Sequence, residues 1–118
     1  MSQRTERIGD LIRGELSELI RRDLRDPRVG LATVNRVEVS RDLGHATVFV
    51  SALGAEPERE TAVRGLESAR GYLRRELARR LSLRATPELH FELDRGAEHS
   101  QRISDLLDGL REGGPGDA

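Results

Sequence analysis

The sequence predicts a two-layer α+β domain, with three strands in one sheet and helices covering one of its faces. Three observations predict it. The apolar residues repeat at helical spacing up to Asp26-Pro27, then at a period of two from Leu31. After Pro57 the helical spacing returns, and after Pro87 the period of two comes back. A three-stranded sheet cannot bury both faces by itself, so the helices must cover one.

The first helix is expected near Arg4 to Asp23, on a stripe of Ile8, Leu11, Ile12, Leu16, Leu19 and Ile20. Gly9 and Gly14 each cost it about 1 kcal/mol relative to alanine. Asp26-Pro27 ends it, because proline disfavours helical geometry in the residue before it. The first strand runs from Leu31 to Ser40. Strict alternation puts Val37 and Val39 on one side with Thr33 and Asn35, and Val34 on the other with Arg36 and Glu38. Arg41-Asp42-Leu43-Gly44 reads as a turn into a second strand, His45 to Leu53, rich in β-formers. So short a connection implies an antiparallel hairpin.

Pro57, with Glu58 and Glu60, marks a helix start, since proline suits the first turn and acids suit its positive end. The stripe that follows is Ala62, Leu66, Ala69, Leu73, Leu77 and Leu81. Gly71 interrupts it, which fits one helix with a glycine or two helices meeting at a kink. Leu89, Phe91 and Leu93 alternate with polar residues as a third strand, reached by a right-handed crossover. Ile103, Leu106, Leu107 and Leu110 suggest a short terminal helix, with Ser100 as its cap. A single domain over 1–111 and a flexible tail over 112–118 account for the 118 residues.

Composition excludes several function classes. There are no cysteines, which removes disulfides, thiolate metal sites and cysteine nucleophiles. Aromatics are 3%, namely Phe49, Tyr72 and Phe91, too few for a multi-base stacking platform. No apolar run approaches membrane-spanning length, and the N-terminus lacks the apolar block of a signal peptide. A cytoplasmic protein is expected. No lysine-bearing phosphate loop and no nucleophile elbow is present. His45, His90 and His99 are far apart in sequence with no acid at metal-ligand spacing, so they read as ordinary surface or sheet-face residues. No metal, cofactor or small-molecule substrate is expected, and no enzyme.

The net charge of -1 conceals a dipolar chain. From Arg64 to Arg84 seven arginines face two acids, a net of +5, whereas 85–118 carries a net of -5. Arginine presents a planar fork of donors suited to phosphate, and basic residues along one helix face are the electrostatic footprint of nucleic-acid binding. Arg64, Arg75 and Arg79 lie opposite the leucine stripe on a helical wheel.

Three stretches resemble the ribosome-binding factor A family, bacterial factors for maturation of the small ribosomal subunit. The first is Asp26-Pro27-Arg28-Val29-Gly30 with Val37-Glu38-Val39-Ser40-Arg41-Asp42-Leu43 and Ala46-Thr47-Val48-Phe49-Val50-Ser51. The second is Arg84 with Pro87-Glu88-Leu89 and Phe91, and the third is Arg102-Ile103-Ser104 with Leu106-Leu107. The resemblance spans Arg4 to about Leu110. It implies a KH-like fold of the second topological type, helix-strand-strand-helix-helix-strand. The family replaces the Gly-x-x-Gly loop of KH domains with an Ala-x-Gly kink, matched here by Ala69-Arg70-Gly71. By resemblance, this kink and the basic helix after it face the RNA of the small subunit. The family acts late in subunit assembly and has no catalytic residues of its own. The basic family positions are arginine here and never lysine, and the extension beyond the fold is short.

The expected function is therefore non-enzymatic binding of the immature 30S subunit, assisting late maturation of 16S rRNA. Arg70, Arg74, Arg75 and Arg79 are expected to contact phosphates, with Gly71 setting the kink. Arg64, Arg80 and Arg84 are secondary, and Arg80 lies nearer the apolar side of an ideal wheel. The expected partners are the small subunit and its 16S rRNA, not a membrane, and the chain is expected to be a monomer. The alternative is a small protein-interaction module whose arginine-rich helix binds an acidic protein.

Overall fold

A computed structural model describes residues 3–30, 32–83 and 85–96. The elements are α1 (Gln3–Asp23), β1 (Thr33–Val39), β2 (His45–Ser51), α2 (Glu56–Ser68), α3 (Arg70–Arg80) and β3 (Glu88–Leu93). This is the predicted α+β order and the KH-like topology. The expected terminal helix, the tail boundary, His99 and Arg84 lie outside the described residues.

The sheet order is β1-β2-β3, with β1 antiparallel to β2 and β3 parallel to it. A parallel neighbour needs a long crossover, which α2 and α3 supply. The hairpin turn between β1 and β2 is closed by Leu43 N–H donating to the Ser40 carbonyl at 2.9 Å. Leu43 has φ of 61°, costly for a side chain with a Cβ, but that side chain packs against the core.

One sheet face is buried by the helices. It carries Val34 and Val39 from β1, Ala46, Val48 and Val50 from β2, and Leu89 and Phe91 from β3. Ile12, Leu16, Leu19, Leu66, Leu73 and Leu77 close over them from the helices. Each such side chain contributes about 1.5–3 kcal/mol by leaving water.

Strict alternation places Val34 opposite Val37 and Val39, and here the structure differs. Val34 pairs with Val50 and Arg36 with Phe49, so Asn35 is an extra, unpaired residue. That bulge shifts the phase of β1, and all three valines face the helices. Asn35 instead donates to Ser51 Oγ at 2.6 Å and to Asp94 Oδ2 at 3.0 Å.

The stripe of α1 also shifts. Thr5, Gly9, Ile12, Leu16, Leu19 and Ile20 are buried, while Leu11 is 50% exposed. The helix lies so close to β1 that a Cβ on Gly9 would stand 2.5 Å from the Val37 carbonyl oxygen. Contact centred on Gly9 turns Leu11 out to solvent.

The Asp26–Gly30 segment is a tight turn. Asp26 accepts from Arg28 N–H at 2.9 Å and pairs with the Arg28 guanidinium at 2.6 Å. These bonds hold the Asp26 carboxyl below the usual carboxylate range. Gly30 takes φ of +48°, and Val29 is buried against α2, where a Cβ on Gly65 would meet its Cγ2 at 3.1 Å.

Candidate nucleic-acid interface

The two helical halves part at Ala69, with φ of -91° and ψ of 2°. Its N–H reaches the Leu66 carbonyl at 3.0 Å as well as the Gly65 carbonyl at 3.3 Å, a local tightening of the turn. The offset lets α2 lie on β3 while α3 reaches both α1 and β3. The bend expected at Gly71 falls two residues earlier, and Gly71 is inside α3 without a positive φ.

Each side of α3 has a distinct task. Leu73 and Leu77 enter the core. Tyr72 and Arg80 face α1: the Tyr72 hydroxyl donates to Asp23 Oδ2 at 2.6 Å, and Arg80 Nη1 to Glu15 Oε2 at 3.1 Å. The Tyr72 hydroxyl holds the Asp23 carboxyl below its ordinary value, and the same bond raises the Tyr72 phenol. The Arg80 guanidinium is likewise raised, chiefly by its bond to Glu15.

With α3 fixed along that flank, its remaining sides stay exposed. Gly71, Arg75 and Arg79 follow one another at four-residue steps along one ridge, and Arg70 and Arg74 form the next. Arg70 pairs with Glu67 at 3.1 Å, and Glu67 itself accepts from the Phe91 N–H at 3.0 Å. Arg74 donates to the Thr86 carbonyl at 3.2 and 2.8 Å. Arg79 pairs with Glu76 at 3.1 Å while 79% of its side chain is exposed. Among the described residues, Arg75 makes no hydrogen bond or ion pair. Surface pairs of this kind are worth about 0–1 kcal/mol, so their guanidinium groups exchange partners at little cost.

Arg70, Gly71 and Arg74 line a recess of about 170 Å³ with Glu88 and Leu89. A Cβ on Gly71 would meet only Arg75 Nη1, at 3.6 Å. The first turn of α3 itself has no acidic residue and no side-chain cap hydrogen bond.

The structure thus brings Ala69, Arg70, Gly71, Arg74, Arg75 and Arg79 together. Arg64 stands apart, donating to Thr61 Oγ1 at 2.9 Å and lining a separate groove with Arg36, Phe49 and Leu93. Arg80 is taken up by α1. Sequence reasoning passes over Arg36, whose guanidinium lies 3.9 Å above the centre of the Phe49 ring on the open face of the sheet. Only the pairing of β1 with β2 reveals that contact. Among the described residues, no helix is long and apolar enough to cross a membrane.

Comparison with known proteins bears on the family and the fold. The Ribosome-binding factor A family model matches residues 4–107. The ribosome-binding factor A of Thioalkalivibrio sulfidiphilus is 53% identical over 105 residues, covering 89% of this chain and 81% of that protein. The crystal structure of ribosome-binding factor A from Thermus thermophilus superposes with a TM-score of 0.69 at 35% identity, covering 75% of this chain and 93% of that one. A Thermus thermophilus ribosome-binding factor A homology model, fitted into the cryo-EM map of a 30S complex, gives a TM-score of 0.65 at 35% identity, over 77% of this chain and 96% of that one. In topology, in the length matched and in identity with its relatives, the chain belongs to the ribosome-binding factor A family.

Proposed function

We propose that this protein is a non-enzymatic assembly factor that binds the small ribosomal subunit and assists late maturation of its 16S rRNA, with α3 as the RNA-facing element. The observation that carries the reading is the outer surface of α3. Arg70, Arg74, Arg75 and Arg79 are exposed on one side of a helix whose other sides are fixed by the core and by α1. Held by rigid packing, these guanidinium groups present a preformed row of phosphate donors. Gly71 leaves the recess beside them open to a sugar-phosphate backbone. Membership of a family with a relative fitted into a 30S map supports the choice of partner.

Arg80 is left out of the row because it ties α3 to α1, and Arg64 stands apart on a separate groove. Such contacts position an RNA without reading its sequence. A binding module can shift an RNA equilibrium only by binding one conformation better than another. Binding in the cytoplasm as a monomer, without membrane or cofactor, completes the reading.

The test is the double reversal Arg75→Glu/Arg79→Glu, assayed for binding to purified small subunits at several salt concentrations. Both residues are exposed, so stability should change by no more than about 0.5 kcal/mol. Affinity should fall, and the slope of log affinity against log salt should drop by roughly one for each phosphate that is no longer neutralised. A variant that melts normally and binds with unchanged affinity and slope removes α3 from the interface. Binding to an acidic protein but not to the subunit would favour the interaction-module alternative.

A further inference from the structure

The open face of the sheet holds a second cluster of chemistry-bearing side chains. The parallel register sets His45 of β2 directly beside Glu88 of β3, and Thr47 beside His90. Residues 88 and 90 are two apart on one strand, so they project from the same face, and His45 faces them from the adjacent strand. Groups 45 residues apart in sequence therefore meet. His45 Nδ1 lies 3.0 Å from His90 Nε2 and 3.8 Å from Glu88 Oε2. All three ligating atoms fall within 4.8 Å of one another. Two imidazole nitrogens bound to one tetrahedral Zn²⁺ at about 2.0–2.1 Å stand roughly 3.3–3.4 Å apart. The imidazole pair is within a few tenths of an ångström of that spacing, and the carboxylate oxygen must close in from 3.8 Å on His45 Nδ1 and from within 4.8 Å on His90.

The backbone beneath the cluster is locked. Glu88 N–H donates to the Gly44 carbonyl at 2.9 Å, and Ser40 N–H to the His45 carbonyl at 2.8 Å. His45 N–H donates to Ser40 Oγ at 3.0 Å, and Asp42 accepts from Ser40 Oγ and from Gly44 N–H at 2.7 and 2.9 Å. The strand ends that carry His45 and Glu88 are thus held in register before any ligand arrives, and the carboxylates of Asp42 and Glu88 favour a cation.

We propose that His45, Glu88 and His90 form a binding site for one divalent transition-metal ion of the zinc class, with water completing the coordination. Two nitrogens and one carboxylate oxygen are a borderline donor set that suits zinc, and three protein ligands leave an open position. The site does not rest on the RNA-binding reading, because its test uses the metal alone.

Calorimetric titration of the full chain with zinc chloride should give one saturable site per chain. Losing an outer partner of a metal ligand typically costs about 10–100-fold in affinity. His45→Gln and His90→Gln should therefore weaken binding by at least about tenfold. Glu88→Gln serves as a third variant should either histidine change impair folding. His99→Ala should bind as the unaltered chain does. Zinc should also raise the melting temperature of the unaltered chain and of His99→Ala, but not that of His45→Gln. Absence of saturable binding, or unchanged affinity in all three ligand variants, overturns the proposal. Loss of binding in His99→Ala does so as well.

Discussion

Along the seam between α1 and β1 the helix backbone rests on the strand backbone, and a Cβ at Gly9 would stand 2.5 Å from the Val37 carbonyl oxygen. On the outer flank of α3 a Cβ at Gly71 would meet only a flexible guanidinium end, at 3.6 Å. Both glycines lie inside helices, where glycine is intrinsically unfavourable. At Gly9 the fold requires the missing side chain, because a backbone oxygen cannot step aside as a side-chain tip can. At Gly71 the fold requires nothing, so the space it leaves is available to a partner. A glycine in a helical stripe thus has two readings, and only the neighbour across from it separates them.

The largest expected effect sharpens the first half of that comparison. Gly9→Ala should destabilise by about 1–3 kcal/mol through overpacking, despite its gain in helix propensity. Chemical denaturation measures it, and a stabilised Gly9→Ala would break the comparison. Gly14 is the control on the same helix, exposed and with nothing within 4 Å of its Cβ position. Gly14→Ala should raise stability by about 0.5–1 kcal/mol, seen as a higher denaturation midpoint.

Gly71→Ala should raise stability by roughly a few tenths of a kcal/mol, as its backbone suits an L-residue and it sits in the first turn of α3. A clear drop in melting temperature would show that α3 needs this glycine after all. The smallest effect concerns the Tyr72–Asp23 tie that orients α3. Folding depresses the Asp23 carboxyl, so its contribution is present above the unfolded-state value near 3.9 and is lost as pH falls through the folded one. Tyr72→Phe should therefore lower stability slightly at neutral pH, converge with the unaltered chain in acid, and so flatten the acid limb of the stability profile below about pH 4. An acid limb identical to that of the unaltered chain would show that this tie does not hold α3.

Much of this architecture is legible in the sequence. The stripe Ala62, Leu66, Leu73 and Leu77 is buried as its spacing predicts, and Leu89 and Phe91 alternate as a strand should. The exposure of Arg64, Arg75 and Arg79 follows from the same wheel, since whatever lies opposite buried leucines faces solvent. The failures have physical causes as well. Alternation assigns Val34 to the wrong face because one bulged residue, Asn35, resets the phase. Hydropathy counts Leu11 into the core because it does not show that α1 approaches β1 at a glycine. Propensity puts the bend at Gly71 because glycine is the usual interrupter, while the chain turns at an alanine that no Cβ clash forbids.

By itself the sequence determined the described elements, their order and, apart from Val34 and Leu11, the side that each buries, because periodicity is set within a few residues by backbone geometry. It also determined the charge of α3, which no packing can alter. The tertiary structure alone decided that β3 lies parallel beside β2, that Arg80 turns to Glu15, and that His45 meets Glu88 and His90. Each of these depends on which distant segment lies alongside and in what register. Those choices follow from the joint burial of the described helices on one sheet face, which no local pattern encodes.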